Sequence, residues 1–409
     1  MIKVKMTVSR CVTNRKEYME NFKFYAPTEV IFGKDVEKQT GETACKYGKK
    51  ALLVYGKGSV IKSGLLGRVE KSLTDAGVEY KEFGGAKPNP TLAHAKDGIK
   101  EALSFGADMI IGVGGGSAID TAKAIAHGTA NSDQDLWSLW TRKVPLTKSL
   151  PVGAVLTIAA AGSEMSDSAV LTNEELGKKA GINTDFNRCR FAIVNPALGM
   201  TLPKNQLSAG VTDIMMHTME RYFIPDIQCD MTDEIAEGLI RTVIKNGKKI
   251  VEDPSDYNAM CEVFWASSLS HNNLTECGRG KDFSVHKLGH ALSARYDVTH
   301  GDSLSAVWGS WAKELYKGAV PRFARFAEKV WGICESDEEK AALLGIEKTV
   351  DFFKSIGMPV SLKDLGIDPS DADLEALSLD ATMQGTVKLS RIRPLDANDV
   401  KKIYEAARE

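Results

Sequence analysis

Cysteine is scarce and scattered in this chain, and its seven cysteines include no Cys-x-x-Cys pair. An odd number of dispersed cysteines argues against a disulfide framework and against a zinc site built from thiolates. This usage is typical of a reducing compartment, so we expect the protein in the cytoplasm.

The sequence also lacks long apolar runs and a large excess of either charge. No run reaches the roughly 18 apolar residues that a membrane helix needs, so we expect no membrane segment. The formal net charge of −2 gives no sign of the excess positive charge that is typical of proteins that bind nucleic acid. Residues 1–20 have neither a sustained apolar core nor a cleavage site, and we interpret them as an N-terminal extension.

A chain of 409 residues exceeds the size of a single core, so two domains are expected. In the first half, short apolar runs alternate with helical patterns, which predicts βαβ units and a mainly parallel sheet. The predicted strands are 51–56, 78–85, 107–114, 151–158 and 191–198, and the predicted helices are 60–77, 91–106 and 118–128. This is a Rossmann-like α/β domain, assigned to residues 21–200.

From Pro203 onward, nearly every segment has a helical pattern. The predicted helices are 203–223, 231–250, 255–275, 282–296, 302–316, 321–332, 336–355, 371–379 and 396–408. Residues 201–409 are therefore predicted to form an all-helical second domain.

A glycine turn follows the predicted strand at 107–114. Gly114, Gly115 and Gly116 let the backbone approach a ligand, and Ser117 opens a helix whose N-terminus favours phosphate. The spacing does not complete the Gly-x-Gly-x-x-Gly fingerprint, and tight packing alone is the alternative explanation.

A second glycine turn strengthens the phosphate interpretation. Gly56, Gly58 and Ser59 follow the strand at 51–56 and also precede a helix. Two such turns at the carboxyl ends of neighbouring strands suit an elongated dinucleotide at a switch point of the sheet.

Asp213 and His217 lie one turn apart in the apolar segment "GVTDIMMHTMERY". Residues four apart share a helical face, and an enclosed carboxylate requires a partner or a metal ion. A hydrogen-bonded Asp–His pair and half of a metal site are both consistent with this stretch.

Four of the seven histidines fall between positions 271 and 300. His286 and His290 share a helical spacing, and His300 follows in a loop or at a helix start. A zinc protease helix would need glutamate directly after the first histidine, where this chain has Lys287. One aspartate and three histidines suit Fe²⁺ or Zn²⁺, whereas a single histidine is more often a hydrogen-bonded core residue.

Several segments together resemble the iron-containing alcohol dehydrogenases, in particular the butanol dehydrogenase and broad aldehyde reductase branch. They are "NFKFYAPTEVIFG", "GVGGGSAIDTAKAIA", "AGSEMSDSAV", "DIMMHTMERY" and "HKLGHALSARYDVTHG". The resemblance runs from Asn21 to the C-terminus and implies a dehydroquinate-synthase-like architecture. We also expect a homodimer.

The resemblance implies roles for individual residues. The divalent metal would be bound by Asp213, His217, His286 and His300, and His290 would lie near the nicotinamide without binding metal. The expected cofactor-binding residues are Gly56, Gly58, Ser59, Gly114, Gly115, Gly116, Ser117, Asp120, Thr157 and Lys179. The chain departs from the family pattern at Ala161, where threonine is usual, and at Asn195, where aspartate is usual.

The expected reaction is reversible hydride transfer between a nicotinamide cofactor and a primary alcohol or aldehyde, with His290 as proton relay. NADP(H) is favoured over NAD(H), because Gly56 provides no acid for the ribose 2′-hydroxyl and Lys57 and Lys62 are nearby. One alternative is a dehydroquinate-synthase-like lyase, disfavoured because residues 286–300 offer only Lys287 and Arg295 as cations. The other is a metal-binding homologue without turnover.

Overall fold

The computed structural model describes residues 18–225 and 227–409, and the first part of this range contains a parallel sheet. Its six strands are β1 (Glu29–Phe32), β2 (Lys50–Tyr55), β3 (Glu79–Phe83), β4 (Met109–Gly114), β5 (Val152–Leu156) and β8 (Phe191–Val194), in the order β1-β8-β5-β4-β2-β3. A separate antiparallel hairpin pairs β6 (Ser168–Asn173) with β7 (Lys178–Asn183). The predicted mainly parallel α/β architecture is confirmed.

Helices connect and cover these strands. They are α1 (Thr40–Ala44), α2 (Ser59–Lys62), α3 (Leu65–Asp75), α4 (Leu92–Phe105), α5 (Gly116–Ala130) and α6 (Leu136–Trp140). The single helix predicted at 60–77 is wrong, because Gly64 adopts a left-handed conformation with φ 70° and separates α2 from α3. The central strands are buried along their length, as expected for a parallel sheet covered on both faces.

After β8, the chain is predominantly helical, as predicted. The helices are α7 (Lys204–Tyr222), α8 (Asp230–Glu252), α9 (Tyr257–Ser270), α10 (Ser284–Tyr296), α11 (His300–Leu315), α12 (Val320–Trp331), α13 (Glu338–Ser355), α14 (Asp371–Ala381) and α15 (Ala397–Ala406). Within the described ranges, no helix combines the length and the apolar character that crossing a bilayer requires.

The helix α7 lies inside the helical half rather than on its surface. Every residue from Leu207 to Tyr222 is buried, and α8, α9 and α11 pack against it. Side chains on any face of α7 are therefore enclosed by protein.

Asn195 lies directly after β8, where the resemblance led us to expect aspartate. Its amide nitrogen donates to the buried carboxylate of Glu37 at 2.8 Å, and its oxygen caps the backbone N–H of Ala197. A second carboxylate at this position would face that of Glu37, so the amide is the side chain that fits.

Candidate active site

Asp213 and His217 lie on α7 at the centre of the candidate site, and each is only 3% exposed. The Nδ1 atom of His217 is 2.8 Å from the carbonyl oxygen of Asp213. The same Nδ1 is also 3.1 Å from Asp213 Oδ1, but its hydrogen bond is to the carbonyl, and the buried Oδ1 has no hydrogen-bond partner in the described part of the chain. The pair alone therefore does not satisfy the carboxylate.

Two histidines from other helices approach the same carboxylate. Asp213 Oδ1 lies 3.7 Å from Nε2 of His286 on α10, and 3.6 Å from Nε2 of His300 at the start of α11. One ligand atom from each of the three residues lies within 4.8 Å of the others. A tetrahedral ion with bonds of about 2.1 Å separates its ligands by about 3.4 Å, so these atoms fit a metal ion.

The unpartnered atoms support the same interpretation. Like Asp213 Oδ1, the Nε2 atom of His286 is buried without a hydrogen-bond partner among residues 18–225 and 227–409. Buried polar atoms are nearly always paired, and these two face each other. A cation between them would satisfy both.

The charge balance of the cluster suits a cation. Burial would raise the pKa of Asp213, but the neighbouring His217 and His300 hold that pKa well below its usual value. Burial lowers the pKa of His300 to about 3, so its imidazole is neutral. Burial would likewise lower the pKa of His286, but Glu220 and Asp213 raise it to about 9, so metal binding would displace a proton there.

His217, predicted as a metal ligand, and His290, predicted to lie near the nicotinamide, are found beside this three-residue group. The His217 ring centre is 4.4 Å from that of His286, but its Nδ1 faces the α7 backbone. The ring of His290 is 5.3 Å from His300 and 6.1 Å from His286. Burial and the charge of nearby Lys179 hold the pKa of His290 well below its usual value.

Glu220 was missed by the sequence analysis. It is 1% exposed, and it accepts hydrogen bonds from Nδ1 of His286 and from the backbone N–H groups of Val285 and His286. Its position three residues after His217 places it on the same face of α7, which was the available signal.

His271 and Phe283 also belong to the site and had no predicted role. The ring of His271 lies 4.0 Å from that of His217, and the ring of Phe283 lies 4.9 Å from that of His286. These two rings form part of the wall around the histidine cluster.

The two glycine turns meet at the carboxyl edge of the sheet. β2 pairs with β3 on one side and with β4 on the other, so the connections diverge between β2 and β4. This is the switch point where open α/β sheets bind ligands. Gly58 has φ 139° and Gly114 has φ 155°, conformations that favour glycine.

The turn after β4 has the form of a phosphate cradle. Gly115, Gly116 and Ser117 are only half-buried, and no side chain caps the start of α5. The free N–H groups of that helix end thus remain available to an anion. A Cβ added at Gly116 would lie 3.7 Å from the Cβ of Ala161. Position 161, where the family usually has threonine, therefore lies beside this turn.

Three further predicted cofactor residues lie near this edge. The backbone N–H of Thr157, directly after β5, donates to the carbonyl of Gly114 at 3.1 Å. Lys179 lies on β7, and its Nζ donates to Asn89 at 2.9 Å. Burial lowers its pKa to about 8, although Asp120 and Asp213 oppose the shift.

The carboxylate of Asp120 has a partner within the protein. It accepts the backbone N–H of Val170 at 2.9 Å and lies 3.6 Å from Nζ of Lys123. In the structure, Asp120 thus attaches β6 to α5, and a direct contact with a cofactor stays a prediction.

Comparison with known proteins matches nearly the whole chain to one family. Residues 27–196 match the family described as iron-containing alcohol dehydrogenase, and residues 207–408 match the C-terminal part of the Fe-containing alcohol dehydrogenase family.

Individual relatives agree with this match. The NADH-dependent butanol dehydrogenase A of Clostridium acetobutylicum is 36% identical over 95% of this chain and 99% of its own length. The NADPH-dependent aldehyde reductase YqhD of Escherichia coli is 32% identical over 95% of this chain and 100% of its own. The crystal structure of NADH-dependent butanol dehydrogenase A from Thermotoga maritima superposes with a TM-score of 0.92 at 36% identity, covering 96% of this chain and all of that one.

Proposed function

The chain belongs to the iron-containing alcohol dehydrogenase family, and from this premise we propose how its residues perform the reaction. The protein is a metal-dependent, NAD(P)(H)-linked alcohol dehydrogenase or aldehyde reductase. We infer that it acts on primary alcohols and aldehydes, as a butanol dehydrogenase does. The observation that carries this function is the group of Asp213, His286 and His300, whose ligand atoms lie within 4.8 Å of one another, the first two buried and His300 partly exposed.

We propose that Asp213, His217, His286 and His300 hold Fe²⁺ or Zn²⁺. The unpartnered Oδ1 of Asp213 and Nε2 of His286 support the first and third ligands. His217 would join them by presenting its Nε2 atom while Nδ1 keeps its bond to the α7 backbone. A divalent ion there would supply a Lewis acid that polarises a substrate carbonyl.

The other residues of the cleft would position the reactants. The start of α5 would bind the pyrophosphate through backbone N–H groups, and the half-buried Lys179 would contact the cofactor between this turn and the histidine cluster. Cofactor and cluster would then face the same cleft, so that a nicotinamide could exchange hydride with the substrate. His290, adjacent to His300, would move the proton.

Two alternatives to a dehydrogenase have less support. A dehydroquinate-synthase-like lyase would need cations near the metal for a polyanionic substrate. However, Lys287 is exposed, and Arg295 is bound to Asp373 at 2.5 Å. A homologue without turnover would not need both an open phosphate turn and a ligand cluster.

One assay distinguishes the dehydrogenase from the lyase and from the homologue without turnover. It measures oxidation of a primary alcohol with NADP or NAD at the nicotinamide absorbance band.

We favour NADP(H) over NAD(H), although the relatives include NADH-dependent and NADPH-dependent enzymes. β2 ends at Tyr55 and is followed by Gly56, which offers no carboxylate to a ribose 2′-hydroxyl. Lys57 and Lys62 are exposed on the same turn and helix and would attract a 2′-phosphate.

Gly56→Asp should shift preference toward NAD(H). A Cβ at Gly56 would meet only the carbonyl of Ala86 at 3.6 Å, so the side chain fits, and its charge would repel a 2′-phosphate. Placing two like charges side by side costs at least about 1.4 kcal/mol, so the ratio of kcat/KM for NADP(H) to that for NAD(H) should fall on the order of tenfold or more. Gly67→Asp on the exposed face of α3 is the control. An unchanged ratio in Gly56→Asp would place specificity elsewhere.

We propose a cytoplasmic homodimer joined through β1. This strand lies at the edge of the sheet with one side unpaired in the described residues, and Phe32 on it is 37% exposed. Trp265 on α9 is 42% exposed and contacts Phe32 edge to face at 6.2 Å. An unpaired edge and apolar rings together are suited to a second copy of the chain. The cytoplasmic assignment rests on the scattered cysteines.

Trp265→Lys should convert this dimer into a monomer, because it places a charge within the apolar contact. Sedimentation velocity measures the change. Leu103→Lys is the control, since Leu103 on α4 is 48% exposed and lies on a helix remote from β1 in the sheet. A wild-type monomer, or a dimer that survives Trp265→Lys, would contradict the proposed interface.

A further inference from the structure

Glu220 joins the helix that carries Asp213 and His217 to the helix that carries His286. Its Oε1 accepts the backbone N–H of Val285 at 2.6 Å and that of His286 at 3.2 Å, and its Oε2 accepts Nδ1–H of His286. With only 1% of the residue exposed, little water competes for these bonds. Both oxygens are therefore engaged with α10, which leaves Glu220 itself unsuited as a metal ligand.

The bond to Nδ1 determines which nitrogen of His286 faces the cluster. When Nδ1 carries the hydrogen and donates it to the carboxylate, Nε2 keeps its lone pair. This Nε2 is the buried atom that lies 3.7 Å from Asp213 Oδ1 without a hydrogen-bond partner in the described ranges. Once the proton on Nε2 is displaced, the ring is thus held with its Nε2 lone pair toward the proposed ion.

We propose that Glu220 is a positioning residue of the metal centre, fixing the tautomer and ring orientation of His286 so that Nε2 binds the ion. This inference rests on the proposed metal site. A carboxylate behind a ligating histidine orients the ring and increases its basicity, and its loss typically weakens metal binding by about 10–100-fold.

Glu220→Gln tests this role with little change in volume. The glutamine oxygen still accepts a backbone N–H, but its NH₂ group donates and cannot accept from Nδ1 of His286. The chelator-treated, full-length Glu220→Gln protein is titrated with Co²⁺ and followed by visible absorption. It should bind Co²⁺ about 10–100-fold more weakly than the wild type, the loss typical when such a carboxylate is removed. Its melting temperature without metal shows whether the fold is retained.

Glu164→Gln is the matched control. Glu164 is fully buried and accepts a hydrogen bond from Ser268, and it contacts none of the proposed ligands in the hydrogen-bond network of the described residues. Its Co²⁺ affinity should equal that of wild type. Equal affinities for wild type and Glu220→Gln would overturn the inference, whereas a wild-type protein that binds no Co²⁺ would contradict the metal site itself.

A double-mutant cycle separates positioning from a general effect on the fold. If Glu220 acts through His286, then Glu220→Gln should cause no further loss of Co²⁺ affinity in a His286→Ala background. Independent, additive losses would overturn the inference. In Zn²⁺-loaded wild type, long-range ¹H–¹⁵N spectra of the His286 ring should show the hydrogen on Nδ1, and a hydrogen on Nε2 would also overturn it.

Discussion

Replacing His286 by alanine should abolish alcohol oxidation and aldehyde reduction and lower the bound metal content. The substitution removes the imidazole whose Nε2 faces Asp213 Oδ1 and leaves Glu220 as a buried carboxylate without its side-chain partner. Losing one ligand of four opens the site to water and removes part of the binding free energy. The metal content of purified protein by elemental analysis and the steady-state rate with a primary alcohol measure the two effects.

His94→Ala provides the comparison for this experiment. His94 also has a buried, unpartnered ring nitrogen in the described structure, but it stacks on Phe83 at the end of β3 and does not belong to the three-residue group. Its metal content should equal that of wild type. Full activity with unchanged metal in His286→Ala would show that the ligand set is wrong.

His290→Asn should retain the metal and lose catalytic rate. Asparagine keeps a hydrogen-bonding side chain of similar size but has no ring nitrogen that can accept and release a proton. His290 is not among the four proposed ligands, and its ring is 5.3 Å from that of His300, so we expect it to transfer a proton beside the metal site. The loss in kcat should be on the order of 10²–10⁴-fold, as for general acid–base groups.

The metal content and kcat of this variant must be measured on the same preparation. Low metal would make His290 a ligand, and His286 or His300 would then leave the set. A wild-type rate with intact metal would identify His290 as a packing residue.

The helical half could be predicted closely because its signals are local. The pattern of α13, predicted at 336–355, begins in the structure at Glu338 after the capping carboxylate of Asp337 and ends at Ser355. The break at Gly64 was missed because the apolar spacing on both sides suits one continuous helix, and only the left-handed backbone interrupts it. β1 was also missed, since its four residues gain their stability from pairing with β8, about 160 positions later.

In the candidate site, too, features set by nearby residues could be predicted from the sequence, whereas contacts between distant segments could not. Asp213 and His217 could be paired from helical spacing, and both glycine turns from the strands before them. No sequence spacing places His286 and His300 against Asp213, because α10 and α11 are brought to α7 only by packing. Glu220 was missed for that reason, since its partner lies 66 positions away in the chain.

The burial of α7 has a consequence for the lifetime of a bound ion. Segments with few buried contacts open first in a folded protein, whereas fully enclosed helices open only when most of the structure does. α7 is enclosed from Leu207 to Tyr222, so local unfolding cannot readily release Asp213 and His217. An ion held by the proposed ligands would therefore exchange through rotation of side chains that border the cleft, such as the 29%-exposed His300, while the helix backbone stays closed.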